Sequence, residues 1–291
     1  MSALTRARRG GGILCGMALD PILAPDALLH VEHPVLLDCR AGAKARADYA
    51  SGHLEGALFA DLERDLAAPG APARGGRHPL PDVQEFAATL GRWGVTPASH
   101  VVVYDDQGGA NAAARAWWML RSLGHAKVQL LDGGLPAALA AGHKLTTEVP
   151  AVTTQPPYPT LGYGLPLADI DEVERARSAA DHRVLDVRAA PRYRGESEPI
   201  DPVAGHIPDA RNLPFAENLR EGRFRSAKEL RSLYLDLLGD VPSENLIVHC
   251  GSGVTACHTL AALDRAGLSG ARLYVGSWSE WCRDPSRARA P

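Results

Sequence analysis

The sequence predicts an α/β protein in which one domain, a mainly parallel sheet with helices on both faces, is written twice. Two features predict this. Short apolar runs rich in Val, Ile and Leu alternate with helical patterns, as in sheets covered on both sides. The same ordered set of motifs also occurs once in each half, about one domain length apart. A chain of 291 residues suits two domains of ordinary size better than one core.

The first copy opens with Val35 to Arg40, a strand ending in Asp38-Cys39-Arg40, followed by Tyr49 and Gly52-His53-Leu54-Glu55-Gly56-Ala57. An Ala/Pro/Gly loop spans residues 67–76. A helix is expected from Asp82 to Trp93, with Val83, Phe86, Leu90 and Trp93 on one face. Val101 to Asp105 is a buried strand feeding the loop Asp106-Gln107-Gly108-Gly109 and a helix from about Asn111 to Leu123. Val128 to Leu131 then runs into Asp132-Gly133-Gly134. The second copy repeats the order. Its strand ends in Asp186-Val187-Arg188, then come Arg192-Tyr193 and Gly205-His206-Ile207-Pro208-Asp209-Ala210, and a helix from Ser226 to Leu238. After the strand and helix around Cys250, Arg272 to Val275 leads into Gly276-Ser277-Trp278. Residues 144–166, rich in Pro, Thr, Gly and Tyr without periodicity, read as a linker. The expected division is a disordered N-terminal extension over 1–20, an inactive copy over 21–143, the linker 144–166 and a catalytic copy over 167–291.

Composition excludes several classes. Hydrophobic content of 45% with 22% charged residues is globular, and a net charge of −3 carries no footprint for nucleic acid or an anionic membrane surface. No apolar run approaches the roughly 20 residues of a membrane helix. Five cysteines without a Cys-x-x-Cys pair argue against a disulfide framework or a metal site, and fit a reducing, cytoplasmic compartment. Cys39 and Cys257 read as core residues, and Cys282, near the tail, as exposed.

Leu246 to Thr255 is the candidate for chemistry, the plainer reading being a buried strand-end cysteine beside an ordinary turn. A short strand ends at Cys250, two glycines fall within the next three positions, and Val254 to Leu263 reads as a helix closed by Gly267. The thiol of Cys250 therefore faces loop N–H groups and a helix N-terminus, which favour negative charge on a nucleophilic sulfur. The first copy has Asp105 at this place and reads as an inert scaffold, able to lend a wall and side chains to a site between the copies. His53 and His206 occupy the same turn in both copies and read as structural. Trp117-Trp118, Trp278 and Trp281 read as packing.

Taken together, Asp-x-Arg followed by Gly-His-Ile/Leu-x-x-Ala in both halves, Trp117-Trp118-Met119, Cys-Gly-Ser-Gly-Val-Thr and Gly-Ser-Trp-Ser-Glu-Trp resemble the tandem rhodanese family of sulfurtransferases. The resemblance covers residues from about Pro34 to Trp281. It implies a persulfide on Cys250, loaded by a small anionic donor, 3-mercaptopyruvate or thiosulfate, and unloaded to cyanide, a small thiol or a thioredoxin-like protein, with no cofactor or metal. It also implies an electrostatic cradle from Gly251, Gly253, Val254 and Thr255, with Arg192 binding the donor. The Gly251-Ser252-Gly253 loop resembles the 3-mercaptopyruvate enzymes, which implies a relay of Ser252, His78 and a carboxylate, Glu63 or its neighbour Asp61. One departure stands against this: Ile200 replaces an expected second arginine, with Arg194 or Arg188 as substitutes that the sequence does not place.

Two other classes fit parts of the pattern. A cysteine phosphatase needs an arginine six positions after its cysteine to hold phosphate bidentately, and that position is Ala256. A non-catalytic sulfur-carrier or protein-binding module fits the first copy, with its Asp105, better than the second.

Overall fold

The computed structural model describes residues 19–291. Most of the extension expected over residues 1–20, and Cys15 with it, lies outside the described residues. Both copies form parallel sheets. In the first, the strand order is Ile22–Leu23, Val128–Leu131, Val101–Tyr104, Val35–Asp38, Ala57–Phe59. In the second, the order is Arg272–Leu273, Leu246–His249, Arg183–Asp186, Arg211–Asn212. Every pair within these two sheets is parallel. Even the edge strand has a counterpart: Ile22 pairs with Leu130, and Leu167 bridges Leu273.

Register shows which residues correspond. Asp38 lies opposite Tyr104, and Asp186 opposite His249, so the next residues, Asp105 and Cys250, occupy equivalent strand ends. The Asp-x-Arg motifs are structural pins at that end of each sheet. Arg40 makes a two-pronged contact with Asp38 and donates to the Gly52 carbonyl (2.8 Å); Arg188 does the same with Asp186 and Gly205. His53 and His206 stack on Tyr49 and Tyr193, and each hydrogen-bonds a tyrosine backbone carbonyl at 2.8 Å, so these histidines lock a turn.

Helix ends follow local chemistry. Asp82 caps the helix Val83–Arg92 through the N–H groups of Gln84 and Glu85. Ser226 and Glu229 form a capping box on Ala227–Leu238. The equivalent helices Ala112–Ser122 and Ala256–Arg265 pack against each other, and the alanines along both allow close approach. One apolar core runs through this contact, from Leu37 and Trp118 in the first copy to Leu185 and Leu263 in the second, so the halves are fused rather than tethered. The stretch 144–166 lies across the first copy: Leu145–Thr146 pairs antiparallel with His53–Leu54, and the N–H groups of Gln155 and Tyr158 reach carbonyls of Val83–Arg92. Cys282, expected to be exposed, is buried among Val184, Ile247, Trp278 and Trp281, because the final residues fold back as Ala290 bridges His206.

The loop before His78 is a tight seam between the copies. Gly76 has φ +79°, and a Cβ there would press on the Gly276 carbonyl and lie 2.7 Å from Ser279 Oγ. Beside it Gly75 donates to Glu280 (2.7 Å) and Arg77 to Ser279 Oγ (3.0 Å) through backbone N–H groups. Gly76→Ala should therefore cost on the order of 2 kcal/mol and loosen the seam. Gly142→Ala, at φ +91° with nothing within 4 Å, controls for backbone strain alone. Urea unfolding should show the first variant clearly less stable than the second; equal midpoints would mean that the seam is not close-packed.

Candidate active site

Cys250 directly follows Leu246–His249, an inner strand of its sheet, and is buried, at 1% exposure. Three carbonyls around it are held by named donors. Trp278 N–H donates to the Cys250 carbonyl (3.0 Å), Ser279 N–H to Gly251 (2.9 Å), and the Arg115 guanidinium to Gly253 (3.2 Å), where the Cys257 thiol also donates. In a planar trans peptide the N–H points opposite to the carbonyl. Fixing those carbonyls outward thus turns the N–H groups of Gly251, Ser252 and Val254 toward the open face of the loop. No N–H from Gly251 to Thr255 has an acceptor among the described residues. Gly253 makes the turn: φ is +75°, and a Cβ would lie 2.5 Å from the Val275 carbonyl. The helix Ala256–Arg265 begins behind the loop and adds its dipole. Ala256 starts that helix, so no guanidinium is present at the place a phosphatase requires.

The first copy shows what such a loop binds. Leu135 N–H holds the Asp105 carbonyl (2.8 Å), as Trp278 holds that of Cys250. The Asp105 carboxylate accepts from the N–H groups of Gln107 (2.8 Å), Gly109 (2.8 Å) and Asn111 (3.0 Å). Gln107 and Gly109 are the counterparts of Ser252 and Val254. One cradle is therefore filled by its own side chain, and the other is open above a thiol.

Beside Cys250 a chain of contacts crosses between the copies. His78 Nδ1 lies 2.8 Å from Ser252 Oγ, and His78 Nε2 lies 3.0 Å from Glu63 Oε1. An ionised carboxylate only accepts, so Glu63 fixes the proton of a neutral imidazole on Nε2 and leaves Nδ1 to accept from the serine hydroxyl. Burial pushes the His78 imidazolium below its ordinary value; Glu63 opposes this, and Arg77 and Arg115 add to it. Asp61 is not in this chain. It caps the short helix Leu62–Asp65 through Glu63 N–H (3.1 Å) and faces Arg46 at 3.4 Å.

Arg192 reaches the loop with its guanidinium gripped by Glu198 (2.6 and 3.2 Å). The substitutes named for a second arginine lie elsewhere. Arg194 pairs with Glu196 in solvent, and Arg188 is consumed by Asp186 and Glu198. Ile200 is 55% exposed. The second cation over the loop is Arg77, from the first copy. Arg77 Nη2 and Arg192 Nη1 lie 3.2 and 3.5 Å from the point where a Gly251 Cβ would stand, which explains the glycine. Each guanidinium is steered by a buried carboxylate: Arg77 pairs with Asp201, which also takes Arg283 (2.9 Å). Neither Arg77 Nη2 nor Arg192 Nη1 has an acceptor among the described residues. Arg77 and Asp201 carry no signal in sequence, since an arginine in a Gly/Pro loop ordinarily reads as solvated; only the meeting of the copies places them.

The Rhodanese-like domain family model matches residues 25–141 and 169–284. The chain is 47% identical over 264 residues to a probable 3-mercaptopyruvate sulfurtransferase of Pseudomonas aeruginosa, covering 87% of this chain and 90% of that protein. It is 37% identical to the thiosulfate sulfurtransferase of Rattus norvegicus, over 82% of this chain and 80% of that one. Among solved structures, the 3-mercaptopyruvate sulfurtransferase from Leishmania major superposes with a TM-score of 0.78 at 31% identity, over 91% of this chain and 75% of that one.

Two outcomes are expected from this geometry. Cys250→Asp should place a carboxylate in the open cradle as Asp105 does in the other, making the chain about 1–3 kcal/mol more stable than Cys250→Ala in urea unfolding. An aspartate less stable than alanine would mean that the loops are not equivalent. The ring of His78, assigned in an NMR titration by its loss in His78→Gln, should titrate below 6.5, and lower still in Glu63→Gln. Because the folded value is depressed, the stability from a neutral His78 is complete above pH 6.5 and is lost as pH falls through the folded value. A midpoint at or above 6.5 would contradict this.

Proposed function

The chain belongs to the rhodanese family and is a sulfurtransferase, and on that premise we propose that its donor is 3-mercaptopyruvate, its sulfur carrier Cys250, and its proton relay Ser252–His78–Glu63. The observation that supports this donor is the unbroken contact from Ser252 Oγ through His78 to Glu63, because the two candidate donors differ in whether a proton must move.

With mercaptopyruvate, the Cys250 thiolate attacks the donor sulfur. An S–S bond forms, the C–S bond breaks, and its electron pair leaves on carbon as the enolate of pyruvate. The donor thiol gives up one proton and the new carbanion takes one, so the relay moves a proton without net gain or loss. Ser252 Oγ accepts and donates it, with His78 Nδ1 taking the serine proton in between and Glu63 holding the ring. The products are pyruvate and a persulfide anion, which the N–H groups of the loop and the helix dipole stabilise. With thiosulfate the S–S bond of the donor breaks and sulfite leaves with the electron pair; no proton is needed.

Arg192 and Arg77 make the donor site. Their free Nη1 and Nη2 groups over Gly251 form a cationic fork for the carboxylate of the donor, and Arg77 fills the role that Ile200 leaves open. The outer sulfur of the persulfide is then taken by a thiophile, for which a thiol or thioredoxin-like protein in a reducing, cytoplasmic setting fits Cys39, Cys250, Cys257 and Cys282, buried and unpaired among the described residues. No helix among the described residues is long and apolar enough to cross a membrane. On this reading the first copy, with its Asp105-filled loop, is inactive in itself and contributes Glu63, Arg77 and His78.

Steady-state transfer to cyanide with each donor tests the proposal. Ser252→Ala and His78→Gln should lower turnover of mercaptopyruvate about 100-fold or more while leaving thiosulfate turnover within a few-fold. Arg77→Met should raise KM for mercaptopyruvate about tenfold with a smaller change in kcat. Equal losses with both donors, or a wild type that prefers thiosulfate, would remove the relay and the donor assignment together.

A further inference from the structure

One buried charge beside the loop is left over by this scheme. Arg115 sits on the helix Ala112–Ser122 of the first copy with no exposure to solvent. Nη2 donates to the His78 carbonyl (2.9 Å), Nη1 to the Gly253 carbonyl (3.2 Å) and Nε to the Leu66 carbonyl (3.4 Å), and the Cys257 thiol lies alongside. No Asp or Glu pairs with it among the described residues, unlike the buried Arg40 and Arg188, each of which holds a carboxylate. An unpaired buried cation is expensive, so an anion is expected within reach. Burial pushes the Arg115 guanidinium down from its ordinary value, and the groups that oppose this most are the side chains of Cys257, Tyr163 and Cys250. Burial in turn pushes the Cys257 thiol up to about 12 and the Tyr163 phenol upward, so neither ionises near neutrality. Arg115 thus brings an uncompensated charge to the Cys250 loop itself, where it holds the Gly253 carbonyl.

We propose that Arg115 is a positioning residue of the sulfur-transfer centre: it pins the carbonyls of His78 and Gly253, and its unmatched charge balances the anion on Cys250. Two groups are set by one side chain. Holding the Gly253 carbonyl turns the Val254 N–H into the cradle, and holding the His78 carbonyl keeps the imidazole on Ser252. The first copy thereby controls the second from beneath the loop, whereas Arg77 and His78 act from above it. This rests on Cys250 as the sulfur carrier but not on the choice of donor.

The test is single-turnover sulfuration of Cys250 by thiosulfate and by mercaptopyruvate in Arg115→Met, Arg115→Gln and Arg115→Lys, with thermal unfolding as a check on the fold. Arg115→Met should slow sulfuration by both donors about 100-fold or more, as losing a preorganised electrostatic contact does, with KM for thiosulfate nearly unchanged. Lysine, which keeps the charge, should recover at least about tenfold over glutamine, which keeps only hydrogen bonding. If the methionine variant does not fold, the lysine–glutamine comparison decides. Wild-type rates in a folded Arg115→Met, or equal rates for lysine and glutamine, would overturn the proposal. Turnover surviving in Cys250→Ser would instead overturn the carrier assignment on which it rests.

Discussion

The site depends on the direction of a few peptide groups. Trp278, Ser279 and Arg115 hold the carbonyls of Cys250, Gly251 and Gly253, so the N–H groups that follow face the space above the sulfur. Each of those three donors comes from outside the loop: two from the Gly-Ser-Trp-Ser helix and one from the other copy. Ser277 completes the support, since its hydroxyl accepts from Cys250 N–H (3.2 Å) and donates to the Tyr274 carbonyl (2.9 Å), which holds it at φ +53°. A loop supported in this way is preorganised for an anion before any donor arrives.

Duplication allows the two copies to differ in what fills the cradle. In the first copy Asp105 satisfies it permanently; burial raises that carboxyl, and the three loop N–H groups act against the rise. In the second copy the Cys250 thiol stands at the same strand end and leaves the loop N–H groups unfilled. Glu63, Arg77, His78 and Arg115 all come from the first copy, and each meets the Cys250 loop or its neighbours across the fused core.

The fold was legible because its signals are local. Val35 to Asp38 and Arg183 to Asp186 announce their strands by composition, and Asp82 and Ser226 announce helix starts by capping. The twin Asp-x-Arg and Gly-His motifs were readable as structural because a residue present in both copies cannot depend on the one cysteine. The site was legible along the loop and at His78, but not where it depends on tertiary meeting. Nothing in Glu198-Pro199-Ile200-Asp201 says that two buried carboxylates there aim Arg77 and Arg192 at Gly251. Arg115 draws no notice inside an alanine-rich helical pattern; its burial follows only from the packing of two equivalent helices. Cys282 was misplaced for the same reason, since the fold-back of the last residues leaves no trace in periodicity.

The most direct measurement is the mass of the whole chain after mixing with 3-mercaptopyruvate in the absence of an acceptor. The chain should gain the mass of one sulfur atom, peptide mapping should place it on Cys250 with Cys39, Cys257 and Cys282 unmodified, and cyanide should remove it. Release of pyruvate without that mass gain, or sulfur found on another cysteine, would contradict the account of the loop as a cradle for a persulfide.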